Sequence, residues 1–287
     1  MPSEQIQWFP GHMAKTRRMI TENLKNVDVI IEILDARIPK SSRNPEIANM
    51  TAQKPTILLL NKATLADPAM TKKWSEYYSN SSTICITTDC VSGMGINKIS
   101  EAVNKVLAEK IQRYESKGMS GRKLKAMIVG IPNVGKSSLI NKICGSKKAK
   151  VENRPGVTVD KQWVDTNVGL ILMDMPGVLW PKFDDRTIGE NLALTGAIKD
   201  KILDIESLAI VLCSRLRKFY PELLATRYKL GDMSQYESYT DLELFELIGK
   251  KRGFLVSGGE IDYERTANML LEEFRSAKIG NITLDRI

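Results

Sequence analysis

One histidine, four cysteines without Cys-x-x-Cys spacing and 6% aromatic residues are what this 287-residue chain has little of. A single imidazole cannot complete a zinc set with those thiols, and four scattered cysteines make no disulfide framework at this length. They read as reduced, mostly buried thiols of a reducing compartment. Long apolar runs are missing too. Val29–Leu34 is interrupted by Glu32, and Thr56–Leu60 ends at Asn61, far short of the roughly 20 residues of a membrane span. The opening MPSEQIQWFPGHM has no apolar signal core. The chain therefore reads as soluble and cytoplasmic, with no membrane partner. Hydrophobic residues at 43% and charged residues at 26% exclude disordered and fibrous classes, and the length suggests about two domains.

What is present in excess is positive charge, +8 overall, and it is concentrated. Residues 105–161 hold 14 Lys or Arg against 4 Asp or Glu, whereas residues 180–287 hold 16 against 18. Clusters such as Arg122-Lys123-Lys125 and Lys147-Lys148-Lys150 suit a polyphosphate or a nucleic-acid backbone, although charge runs are often only solvated faces.

Apolar patterning predicts strands at 27–34, 56–60, 83–87, 124–129 and 170–173. It predicts helices at 13–25, 68–78, 96–117 and 136–144, the third closed by Gly118. Alternating strands and helices imply a doubly wound, mostly parallel sheet. Beyond about residue 185 only helices are predicted, at 206–219, 221–228, 241–250 and 263–277. The fold class is thus α/β followed by an all-α unit, divided as 1–26, 27–183 and 184–287.

Gly130-Ile-Pro-Asn-Val-Gly135-Lys136-Ser137 fits GxxxxGK[ST] between an apolar strand and a helix, the context the motif requires. Its glycines let backbone N–H groups curl around phosphate oxygens at a helix N-terminus. Asn133, Val134, Gly135, Lys136, Ser137 and Ser138 are the expected nucleotide contacts. Lys136 bridges the outer phosphates and Ser137 is a Mg²⁺ ligand. Asp174-Met175-Pro176-Gly177 follows the strand 170–173 and offers Asp174 to the Mg²⁺ shell and the Gly177 N–H to the γ-phosphate. Thr158 is the candidate second hydroxyl ligand of Mg²⁺.

Two base-binding signals precede the phosphate loop instead of following it. Asn61-Lys62 ends the strand 56–60 and opens a guanine-recognition loop, and Asp89-Cys90 follows the strand 83–87 as the loop offering a backbone N–H to the guanine carbonyl. Joining the old termini through the helix 96–117 and cutting after D-x-P-G builds the same sheet in a circularly permuted order. In that order IQWFPGHMAK, DARIPKSSRNP, the NK loop, GIPNVGKSSLIN, RPGVT, DMPGVLWPKF and LTGAIKD resemble the bacterial ribosome biogenesis GTPase A family over nearly the whole chain. The resemblance implies a permuted GTPase domain and a helical RNA-binding domain. It also implies action late in large-subunit maturation, with GTP/GDP, the 50S precursor and 23S rRNA as partners and a monomer off the ribosome.

Departures from the family pattern carry consequences. Thr64 stands where NKxD has a carboxylate, which predicts a loss of guanine discrimination of roughly 2–4 kcal/mol. Val178 follows Gly177, where a glutamine would orient the attacking water. Help must come from elsewhere. Asn133 matches an asparagine that in related enzymes helps hold K⁺ beside the phosphates, where a cation spreads transition-state charge. His12, in a Pro-Gly turn, is the candidate to position water, with a plain rRNA contact as the bland alternative. The competing reading is a nucleotide-gated RNA-binding scaffold with relaxed base specificity and negligible hydrolysis.

Overall fold

The computed structural model describes residues 10–119, 121–145, 162–177, 179–180, 183 and 185–287. Strands are β1 (Val29–Asp35), β2 (Thr56–Asn61), β3 (Thr83–Thr87), β4 (Leu124–Gly130), β5 (Gln162–Asp165) and β6 (Leu170–Asp174). They form one sheet in the order β3-β2-β1-β4-β6-β5, parallel throughout except for β5 against β6. β1 and β2 are buried at every position, as central parallel strands covered on both faces must be. That explains why they read as mainly Val/Ile/Leu runs, broken only by Glu32, rather than alternating ones.

The helices are α1 (Pro10–Leu24), α2 (Pro45–Thr51), α3 (Pro68–Tyr78), α4 (Lys98–Val106), α5 (Ala108–Glu115) and α6 (Lys136–Cys144), then α7 (Arg186–Leu194), α8 (Ile205–Phe219), α9 (Pro221–Tyr228), α10 (Asp241–Lys251) and α11 (Tyr263–Arg275). Their starts are written in the sequence. Asp67 caps α3 by accepting from Ala69 N and Met70 N ahead of Pro68, and Thr240 with Glu243 forms a capping box on α10.

Several expectations shift. The helix predicted over 96–117 is two helices, divided at Leu107 (φ −109°, ψ 14°). α4 buries Ile99, Ala102 and Val103, whereas α5 has no buried residue. Leu107 itself is buried and anchors the bend, after which only the half-buried Ile111 and Tyr114 of α5 reach the core. β5, α2 and α7 are absent from the sequence reading, because elements of four to nine residues carry at most about two and a half periods of pattern.

β1, β2 and β3 run outward on one side, and β4 returns to the other flank of β1. The chain therefore reverses direction across the sheet between β1 and β4, and a ligand crevice is expected outside the strand C-termini there. Register places Asp35 opposite Asn61 and Ile33 opposite Gly130, so the ends of β1, β2 and β4 share that edge. The helical segment packs back onto the same end. Leu284 N donates to Arg37 O (2.7 Å), and Ile282 N to Leu65 O (3.2 Å). Asp285 accepts from Ser41 N (2.7 Å), Ser41 Oγ (2.7 Å) and Asn191 Nδ2 (2.8 Å).

Candidate functional site

Gly130 ends β4 at φ +156°, and Asn133 (φ 57°) and Gly135 (φ +107°) turn the loop onto the N-terminus of α6. An added Cβ at Gly135 would lie 2.2 Å from Asn61 Nδ2, so only glycine lets the NK and phosphate loops touch. They touch through Asn61. Its Nδ2 donates to Val134 O (2.7 Å), while its Oδ1 accepts from Cys90 N (3.0 Å). One buried side chain at the end of β2 thus ties together three loops that the sequence separates by 29 and 73 residues.

Lys136, Ser137 and Ser138 open α6, with Lys136 buried and the two serines partly exposed. Lys136 Nζ donates to Gly130 O (3.0 Å) and Ile131 O (2.9 Å), the carbonyls of its own loop. Burial lowers its pKa to about 8, although the negative charge of Asp174 works the other way. Asp174 ends β6 in register with Ile128 of β4. Gly177 follows so closely that an added Cβ would lie 2.6 Å from Lys136 Nζ. Lys136, Ser137, Asp174 and Gly177 are therefore on one edge, as the two motifs required. The donor set, one hydroxyl and one carboxylate beside a phosphate-binding loop, fits Mg²⁺, which takes few protein ligands and completes its shell with phosphate and water. Among the described residues no group of three His, Cys, Asp or Glu suits a softer metal.

Lys62 sits in the left-handed region (φ 60°, ψ 31°), and its Nζ pairs with Asp35 Oδ2 (3.0 Å). Asp35 is also gripped by Arg37, from Nε (2.9 Å) and Nη2 (2.7 Å). Burial opposes ionisation, but the two cations overcome it and hold the Asp35 carboxyl well below the usual carboxylate range. The residue-by-residue reading gave Asp35 and Arg37 no role, although a charged pair closing a mostly apolar strand was the available signal of this cluster.

Four expectations need correction or fall outside the description. The Cys90 N–H, expected to face the guanine carbonyl, is committed to Asn61, and Val91 N (2.9 Å) and Ser92 N (2.8 Å) donate to Asp89 Oδ1. The acidic side chain of Asp89 draws those N–H groups inward, which a small neutral residue there would not. The His12 backbone lies in the first turn of α1 rather than in a loop, since Pro10 supplies the first helical φ. The His12 side chain, Thr158 and Val178 lie outside the described residues. Asn133, the K⁺ candidate, donates from Nδ2 to Gly196 O (2.7 Å), joining the phosphate loop to the turn after α7.

Comparison with known proteins agrees with this geometry. The family model described as 50S ribosome-binding GTPase matches residues 125–229. Ribosome biogenesis GTPase A of Priestia megaterium is 47% identical over 281 residues, covering 98% of this chain and 96% of that protein. The protein of the same name from Bacillus pumilus is 45% identical, with 98% of each chain covered. Among solved structures, a GDP-bound form of TM YlqF matches with a TM-score of 0.61 and 27% identity, over 94% of this chain and 99% of that one. GNP-bound YlqF from T. maritima matches with a TM-score of 0.59 and 25% identity, over 95% and 98%.

Proposed function

The chain belongs to the ribosome biogenesis GTPase A family, and on that premise we propose that it hydrolyses GTP while bound to the large ribosomal subunit precursor, promoting a late step of its assembly in the cytoplasm. The observation that carries the reading is the double hydrogen bond of Asn61, which gathers the NK loop, the phosphate loop and the Asp89-Cys90 loop at one sheet edge. Nucleotide contacts fall to Asn61, Lys62 and residues 133–138, with Asp89 and Cys90 shaping the base loop from behind, Gly177 at the γ-phosphate and Thr158 beside the metal.

Ser137, Asp174 and Thr158 would hold Mg²⁺, which would supply charge neutralisation at the outer phosphates. Lys136 gives up two loop carbonyls for phosphate oxygens, and the anion restores the full charge that burial weakens. Asn133 would help hold K⁺, whose charge would offset that developing on the phosphates, and its Nδ2 ties the loop to Gly196 O. His12, near the start of α1, positions the attacking water in place of the glutamine that Val178 replaces.

Residues 27–183 form the GTPase domain in this reading, and 184–287 the RNA-binding one. The Asn133–Gly196 bond and the buried Leu179 and Trp180 make loop movements at the phosphates felt by the helices. Contacts with 23S rRNA draw on the basic segment 105–161, and the protein is a monomer off the ribosome. GTP turnover measured with and without large-subunit precursors, each in K⁺ and in Na⁺, tests the reading. Stimulation by the particle and faster turnover in K⁺ are expected. Equal rates in all four conditions would overturn it.

A further inference from the structure

Thr64 deprives the base loop of the carboxylate that NKxD supplies, yet a carboxylate stands directly behind it. Thr64 Oγ1 donates a hydrogen bond to Asp89 Oδ2. The two residues differ in exposure. Thr64 is open to solvent, whereas Asp89 is 4% exposed. Asp89 is fixed from the other side by Val91 N and Ser92 N on its Oδ1. Thr64 is held as well, since its carbonyl accepts from Asn281 Nδ2 (2.8 Å), and Ala63 N next to it donates to Thr88 O (3.1 Å).

A free threonine hydroxyl rotates and can donate or accept, so it discriminates poorly between a guanine edge carrying N–H donors and an adenine edge carrying an acceptor nitrogen. A hydroxyl whose proton is committed to a carboxylate can only accept toward solvent. Its oxygen also gains negative character from the charge-assisted bond. We propose that Thr64 and Asp89 together replace the missing carboxylate: the Thr64 oxygen accepts from the guanine N–H edge, and Asp89 acts as the positioning residue that keeps the hydroxyl proton turned away from the base. Three loop N–H groups and one hydroxyl keep this arrangement in place before any nucleotide arrives. The inference rests on the nucleotide-site reading above and extends it to base selectivity. Selection for guanine is then divided between two loops 25 residues apart rather than written into one tetrapeptide.

The test is the ratio of GDP to ADP affinity, measured by calorimetric titration on the full chain as wild type, Asp89→Asn, Thr64→Val and the double variant, with thermal unfolding run alongside. An asparagine at 89 still accepts from the loop N–H groups through its side-chain oxygen, but its amide donates to Thr64 and frees the hydroxyl proton. The expected result is a wild type preferring GDP at least about 100-fold, a ratio at least about tenfold lower in each single variant, and no further fall in the double variant, since the pair acts as one unit. A merely structural Asp89 would weaken both nucleotides in proportion and leave the ratio unchanged. A ratio that stays within about threefold of wild type in either folded single variant overturns the inference, as does a wild type that binds both nucleotides equally. A wild type that binds neither would instead overturn the nucleotide-site reading itself.

Discussion

Replacing Asn61 with alanine is the most direct probe of how the site is assembled. The side chain is 2% exposed and makes two hydrogen bonds, to Val134 O at 2.7 Å and from Cys90 N at 3.0 Å. Both partners are buried residues, so truncation strands one acceptor and one donor with limited access to water. Each unmade buried bond costs about 1–3 kcal/mol, which gives a total of about 2–6 kcal/mol in unfolding free energy. The same change unties the phosphate loop from both base loops. Even the lower part of that energy, lost from the bound state, weakens GDP binding by about 30-fold or more. Urea unfolding and GDP titration measure the two effects. Asn61→Asp is a useful companion, because it keeps an acceptor for Cys90 N but turns a carboxylate oxygen toward Val134 O. It should therefore lose the phosphate-loop tie alone. An Asn61→Ala protein within about 0.5 kcal/mol of wild-type stability, and unchanged in GDP affinity, would refute the reasoning.

Four further outcomes are expected. Gly135→Ala should abolish GDP binding in a titration, because its Cβ meets Asn61 Nδ2 at 2.2 Å and φ is +107°. Asp35→Asn leaves the buried Arg37 and the half-buried Lys62 without their counter-charge and should destabilise by about 3–5 kcal/mol at pH 7. The folded-state pKa of Asp35 is lowered, so its stabilisation is complete above about pH 4 and is lost as pH falls. Urea midpoints from pH 6 to pH 3 should therefore drop more gently in the variant than in wild type. Asp285→Ala removes the acceptor of three hydrogen bonds from Ser41 and Asn191. It should cost about 2–4 kcal/mol, read as a lower thermal midpoint with faster amide exchange in α7 and the segment 281–287. Burial pushes the Cys90 thiol up to about 12, so iodoacetamide at pH 8 should leave it intact in the folded protein and modify it after unfolding, as peptide mass spectrometry would show.

Most of the phosphate half of the site is legible as text, since GxxxxGKS fixes a strand, a turn and a helix N-terminus within a dozen residues, and local rules suffice. The same holds for α3 and α10, whose caps are spelled out by Asp67-Pro68 and Thr240-x-x-Glu243. What failed was longer or subtler in range. The bend at Leu107 depends on which side of a helix has something to pack against. The inward turn of the Val91 and Ser92 N–H groups depends on a carboxylate whose direction no spacing rule encodes. The Asp35–Arg37–Lys62 cluster joins residues at the ends of two strands, so no single motif announces it.

The sequence by itself determined the class of chemistry and the parts: a phosphate cradle, a base loop written before it instead of after, and a helical unit beyond. Only the tertiary structure decided that these parts face one another, because contact between Asn61 and Val134 requires β2, β1 and β4 to lie side by side in parallel. It also decided what stands behind Thr64, since a hydroxyl's donor or acceptor character is set by the group it touches in space and not by its neighbours along the chain.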